Sequence, residues 1–198
     1  MTNFLVNFLR VRRLESVSWL PVVSGWVLGV IATRERVLGI GDDGIFAELS
    51  KAVSVPGPLD IGAWWEVIAY FTLTTLAVFA LSHLFFGIGG GVFMFARGVH
   101  DNFLIVYLET TIGAWSISRT PMSEVLTVLF ILLILGANLP LCIWSGKLGV
   151  QRSLYTLHRL RKEPIKPEVG SKPFSYMLMI VAASLVVGLI ATVVFSHL

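Results

Sequence analysis

The sequence predicts an all-α polytopic membrane protein of about five transmembrane helices with a cytoplasmic N-terminus. Three observations predict it. Hydrophobic residues make up 56% of the 198 and charged ones only 14%. Mean hydropathy is +0.82, above what a soluble domain of this size carries. Several apolar stretches approach the about 20 residues that a helix needs to cross a hydrocarbon core about 30 Å thick.

Taken in order, residues 1–33 form an N-terminal anchor. Ser16 to Thr33 is free of charge and follows Arg10, Arg12 and Arg13. Its length, Trp19 and Trp26, and the lack of a small-residue cleavage site favour a retained span over a signal peptide. Gly25-x-x-x-Gly29 permits close helix approach, although one such pattern is weak evidence for dimerisation. Residues 34–64 read as an extracytoplasmic loop with an amphipathic helix. Behind Asp42 and Asp43, a plausible cap, Ile45, Phe46, Leu49 and Val53 recur at helical spacing until Pro56-Gly-Pro58. That helix is expected to pack on its own bundle; lying on the outer leaflet or docking a partner are the alternatives.

Residues 65–146 are the helical core. Val67 to Ala96 contains no Asp, Glu, Lys or Arg, and as one helix it would be about 45 Å long, too long for one upright crossing. Gly87, Gly89, Gly90 and Gly91 offer a place to turn, which divides the run into spans at Trp65 to Phe86 and Ile88 to Leu108. A further span runs from Val125 to Ser145. Residues 147–172 are a basic segment in which Leu148, Leu154, Leu157 and Leu160 extend the helix until Pro164 and Pro167 end it. Its charges are expected to meet anionic lipid headgroups. Residues 173–198 supply the last span, Phe174 to Phe195.

With the N-terminus inside, Arg10, Arg12, Arg13 and the Lys147 to Lys172 segment put ten of the fifteen Lys and Arg in the cytoplasm. The opposite side receives the acid-rich loop with Glu35, Asp42, Asp43, Glu48, Asp60 and Glu66, and also the C-terminus. This asymmetry satisfies the positive-inside rule and predicts a multi-pass cell-membrane protein with its C-terminus outside. Trp64, Trp65, Trp115 and Trp144 fall near span ends, where indole rings favour the headgroup layer, whereas Trp26 falls mid-span.

Arg97, His100, Asp101 and Asn102 break the apolar pattern in the middle of the third span. An ionisable group at this depth costs about 2.5–3.5 kcal/mol on insertion scales and normally faces a bundle interior, a cavity or a partner. Arg97 lies about 14 Å from the inner end of its helix, too deep to snorkel readily. Asp101 is four residues on, so the two can pair on one face, with His100 beside them. A pair of this kind either fixes helix packing or belongs to an ion or proton path, or to a contact with another subunit. A re-entrant third span, with the cluster in a water-filled dip, is a further alternative. At the end of the fourth span, Asn138 and Pro140 sit inside apolar sequence; the proline frees a backbone carbonyl that a neighbour must satisfy, and Asn138 is expected to do so across helices. Gly91, Gly98, Gly146 and Gly149 are the remaining candidate packing or break positions.

Phe95-Ala-Arg97-Gly98 and the series Gly136, Leu139-Pro140, Gly146-x-x-Gly149 resemble motifs of the stage II sporulation protein M family of integral membrane proteins. The order of one N-terminal span, a helical outer segment, a compact core and a basic inner segment before a final span is similar too. Many members carry a His-Gly pair and a Glu before the Leu-Pro, where this chain has Leu135-Gly136 and Asn138. The resemblance implies a non-enzymatic membrane component whose namesake looks like a scaffold for peptidoglycan-degrading partners. It does not by itself imply sporulation.

Enzyme signatures are missing: there is no His-Glu-x-x-His, Gly-x-Ser-x-Gly or phosphate-loop Gly-Lys-Ser/Thr. Gly39-Ile-Gly41-Asp-Asp-Gly44 has the letters of a dinucleotide fingerprint but follows a membrane span instead of a strand. The single Cys142 allows neither an internal disulfide nor a cysteine-rich zinc site, and no cofactor or metal is expected. The excess of basic residues serves topology, so nucleic acid is not an expected partner. The favoured function is a scaffold or accessory subunit that binds other membrane proteins, with self-association allowed. The alternative is a small channel or transporter whose path runs past Arg97 and Asp101, with His100 and His83 nearby.

Overall fold

The computed structural model describes residues 17–39, 64–113, 121–161 and 168–196, and contains no strand among them. The helices are α1 (Leu20–Gly39), α2 (Trp64–Leu84), α3 (Ile88–Gly113), α4 (Met122–Leu133), α5 (Leu139–Leu160) and α6 (Glu168–Ser196). A π turn at Ile134–Asn138 joins α4 to α5, so the two make one rod. Three stretches are long and apolar enough to cross a membrane: Trp65–Leu84, Met122–Leu157 and Phe174–Val193. The apolar part of α1, Leu20–Arg34, is shorter. Arg97 and Asp101 interrupt the apolar character of α3 at its middle. The outer stripe from Ile45 to Val53, the N-terminal arginines, Trp115, Pro164 and Pro167 lie outside the described residues.

The chain turns between α2 and α3 where the glycine-rich stretch predicts it, but the turn needs only two residues. Phe86 (φ 50°) and Gly87 (φ 89°) adopt left-handed backbone, and the Gly87 N–H donates to the Ser82 carbonyl at 2.8 Å, closing the end of α2. Gly89, Gly90 and Gly91 already belong to α3. At the start of α4, Pro121 takes extended backbone and its carbonyl accepts from the Glu124 N–H at 3.0 Å.

Helix direction follows from which residues meet. Trp26 reaches Asp101 and Arg34 reaches Glu109, both across 75 residues of sequence, a constant offset that parallel helices produce. α1 and α3 approach backbone to backbone. A Cβ on Gly29 would strike the Phe95 carbonyl, one on Gly25 the Gly91 carbonyl, and one on Gly98 the Trp26 carbonyl. The Gly25-x-x-x-Gly29 pattern is therefore used inside the chain, against Gly91 and Gly98 of α3.

α2 and α5 are also parallel. The Ser145 hydroxyl donates to the Thr75 carbonyl at 2.7 Å, and Gly149 lies against the Phe79 carbonyl, where a Cβ would come within 2.5 Å. α6 runs against α2: the Ser184 hydroxyl donates to the Phe71 carbonyl at 2.6 Å, and Gly188 faces the Ile68 Cα. In hydrocarbon, where the hydrophobic effect gives little drive for helix association, close glycine contacts and hydroxyl-to-carbonyl bonds of this kind would carry much of it. Gly146 completes the set, packed against Val22 and Val78. Gly136 is the exception. Nothing lies within 4 Å of where its Cβ would be, so Gly136→Ala is expected to change the melting free energy in detergent by less than about 1 kcal/mol.

Polarity is distributed inside out. Leu28, Ile31, Leu73, Ile88, Val92 and Met179 are exposed, whereas Arg97, Asp101, Asn102, Asn138, Ser145 and Ser184 are buried. Water would reverse this pattern; hydrocarbon favours it. The apolar interior is divided among Val22, Val78, Met94 and Cys142, the group around Phe71, Phe130 and Ile134, and a smaller group of Leu148, Met177 and Ile180.

Candidate functional site: the polar waist of the central helix

Every residue from Arg97 to Asn102 is buried, so α3 is enclosed around its whole circumference at mid-length. A single helix can be buried on all sides only at the centre of a bundle, and the expected polar cluster lies there.

Arg97 and Asp101 form the ion pair their spacing predicts. The Arg97 Nε donates to Asp101 Oδ2 at 3.3 Å, with both side chains fully buried. The pair is anchored to other helices. Trp26 of α1 donates its indole N–H to the same Oδ2 at 2.8 Å. Arg97 Nη1 donates to Asn138 Oδ1 at 2.8 Å and lies 3.0 Å from Cys142 Sγ on α5. The Arg97 guanidinium also faces the ring of Tyr70 on α2, 6.0 Å from its centroid. One charged side chain thus touches α2, the π turn and α5, and through Asp101 it reaches α1.

The π turn makes this geometry. The Leu139 N–H donates to the Ile134 carbonyl five residues back, and Pro140, which has no N–H, stands in the first turn of α5. Proline therefore sits where the widened turn has already displaced the regular ladder. Asn138 and Cys142, four apart, fall on one face, and Cys142 Sγ lies 3.1 Å from Asn138 Oδ1. Asn138 does bond across helices, but its partners are side chains and not the carbonyl that Pro140 frees: its Oδ1 accepts from Arg97 and, at 3.4 Å, from Thr74. No sequence signal marked Tyr70, Thr74 or Cys142 as members of this cluster. Trp26 carried one, since an indole at mid-span needs an acceptor.

Several buried polar atoms have no protein partner: Arg97 Nη2, Asp101 Oδ1, Tyr70 Oη, His100 Nε2 and both amide atoms of Asn102. His100 and Asn102 thus share the waist without bonding to the ion pair. His83 lies elsewhere, stacked on Phe79 at 6.2 Å near Arg152. Among the described residues no group of three or more His, Cys, Asp and Glu could hold a metal ion.

Because Asp101 Oδ2 receives two donors, removing one should be felt. Trp26→Phe keeps the ring and deletes the donor, and is expected to lower stability by about 1.5–3 kcal/mol, the range for a hydrogen bond to a charged group. Thermal unfolding in detergent measures it; no change would mean that the indole is dispensable to the carboxylate. No family model, curated protein or solved structure matches the chain.

Proposed function

We propose that this protein is a non-enzymatic integral membrane component, a scaffold or accessory subunit that holds other membrane proteins. In this reading all five helical rods cross the cell membrane, the N-terminus and the α2–α3 turn face the cytoplasm, and the C-terminus lies outside. The observation that carries it is the Arg97 network: a charge neutralised by Asp101 and gripped from α2, the π turn and α5 rigidifies a bundle instead of presenting reactive groups. The outer faces of α1, α3 and α6 remain apolar and open to partner helices or lipid. The resemblance to the stage II sporulation protein M family supports the same reading, without implying sporulation. The test is crosslinking in intact membranes followed by detergent pulldown. A stoichiometric membrane partner is expected, and recovery of a partner-free monomer would contradict it.

A second reading, a small channel or transporter, is favoured by one observation: the unpaired Arg97 Nη2, Asp101 Oδ1 and Tyr70 Oη gather where a path would need polar groups. It expects Asp101→Asn to alter proton or ion flux into liposomes while the protein stays folded. Absence of flux in the unaltered protein would remove it.

A further inference from the structure

Arg152 on α5 has its guanidinium 5.5 Å from the ring centroid of Phe174 on α6. Among the described residues no carboxylate pairs with it; the ion pairs there are Arg34 with Glu109 and Arg97 with Asp101. His83 of α2 lies within its electrostatic reach, and the Nδ1 of that ring and the hydroxyl of Ser153 are buried without partners. Three elements therefore converge on a cation that no described carboxylate compensates.

Depth makes this position informative. Asn138, bonded to the buried Arg97, marks the middle of the bundle. Arg152 follows it by fourteen residues of helix, about 21 Å. Half of a hydrocarbon core is about 15 Å and half of a whole bilayer about 20–22 Å, so Arg152 stands at the level of the lipid phosphates. His83 lies beside the same stretch of α5: a Cβ on Gly149, three residues before Arg152, would come within 3.2 Å of the His83 backbone nitrogen. Arg161, which ends the same helix, lies about 34 Å out, beyond the headgroups.

We propose that Arg152, with His83 beside it and Phe174 beneath it, binds the phosphate of one anionic phospholipid. The aromatic ring lies against one side of the guanidinium, its centroid 5.5 Å away, and the planar fork of donors matches a phosphate bidentately. A diester phosphate supplies the missing negative charge, and its acyl chains enter the apolar surroundings that already face lipid. The inference rests on the membrane reading above and adds a defined site to the general attraction of a basic segment for an anionic leaflet.

The full chain, reconstituted in phosphatidylcholine nanodiscs with a minor share of phosphatidylglycerol, tests it by native mass spectrometry of retained lipid. One phosphatidylglycerol is expected to stay bound in preference to phosphatidylcholine. Arg152→Gln should weaken retention about ten-fold and Arg161→Gln, which removes the same charge farther out, less than about two-fold. Arg152→Lys should recover only part of it, because an ammonium lacks the fork. Equal losses in the two glutamine variants would mean diffuse attraction and overturn the site, as would retention unaffected by Arg152→Gln. Displacement of the lipid by millimolar inorganic phosphate would assign the site to free phosphate and overturn the lipid. Retention of the chain in carbonate-washed membranes reports separately on the membrane reading, so either can fail alone.

Discussion

Asp101→Ala is expected to destabilise the protein by about 3–5 kcal/mol, because it strands the Arg97 guanidinium in a closed interior. Arg97 would keep Asn138 Oδ1 as a neutral acceptor, but no described carboxylate other than Asp101 contacts it. Trp26 would lose its acceptor at the same time. A loss of that size approaches the whole stability of an ordinary domain, so low membrane yield and a collapsed melting temperature are the expected readouts. Removing both charges should behave differently. In Arg97→Met with Asp101→Leu no charge remains unpaired, and stability is expected to return to within about 2 kcal/mol of the parent, the residue being the unpaired Trp26 and Asn138 groups. A double variant as damaged as Asp101→Ala alone would show that the polar waist is required for more than charge balance.

Gly98→Val is expected to be the most damaging single change on the α1–α3 interface. A Cβ at Gly98 would meet the Trp26 carbonyl, which is backbone and cannot rotate away, and Gly29 faces the same contact from the other side. Overpacking usually costs about 1–3 kcal/mol when side chains can move aside; here the helices themselves must separate, which places the cost at or above the top of that range. Separation also pulls Trp26 away from Asp101 and Arg34 from Glu109, since both bonds keep the register that the glycines set. The signature is loss of a crosslink between cysteines placed at the exposed positions 28 and 103 in a Cys142→Ser background, together with a lower melting temperature. An unchanged crosslink would mean that the close approach is not needed to hold α1.

Much of the arrangement is legible in the sequence because it follows from local rules. The helical class, the turn beside Gly87 and the pairing of Arg97 with Asp101 rest on apolar run length, glycine's tolerance of left-handed backbone and the i, i+4 geometry of a helix. The extension of the fourth helix into the basic segment is legible too: helix continues from Met122 to Leu160 through the π turn, so the apolar stretch and the basic extension form one rod. What the sequence leaves dark is what depends on a partner element. Gly25 and Gly29 carry little information until Gly91 and Gly98 are known to lie opposite them. Asn138 and Cys142 face Arg97 only because the π turn shifts the ladder before Pro140, and no propensity marks that turn. The bonds of the Ser145 and Ser184 hydroxyls to backbone carbonyls of α2 are equally silent, since such a hydroxyl can instead bond within its own helix, as Thr75 does to the Phe71 carbonyl.

Cys142, the only cysteine in the chain, is fully buried 3.0 Å from Arg97 Nη1 and serves as a native probe of the waist. Its labelling by a small polar maleimide, in intact membranes opened to reagent on both sides, asks directly whether a charged centre lies enclosed among the helices. The expected result is no labelling until detergent denaturation exposes the thiol, then complete labelling. Labelling of the native protein at the rate of a free thiol in water would contradict an enclosed Arg97 and Asp101, and with it the account of how this bundle is held together.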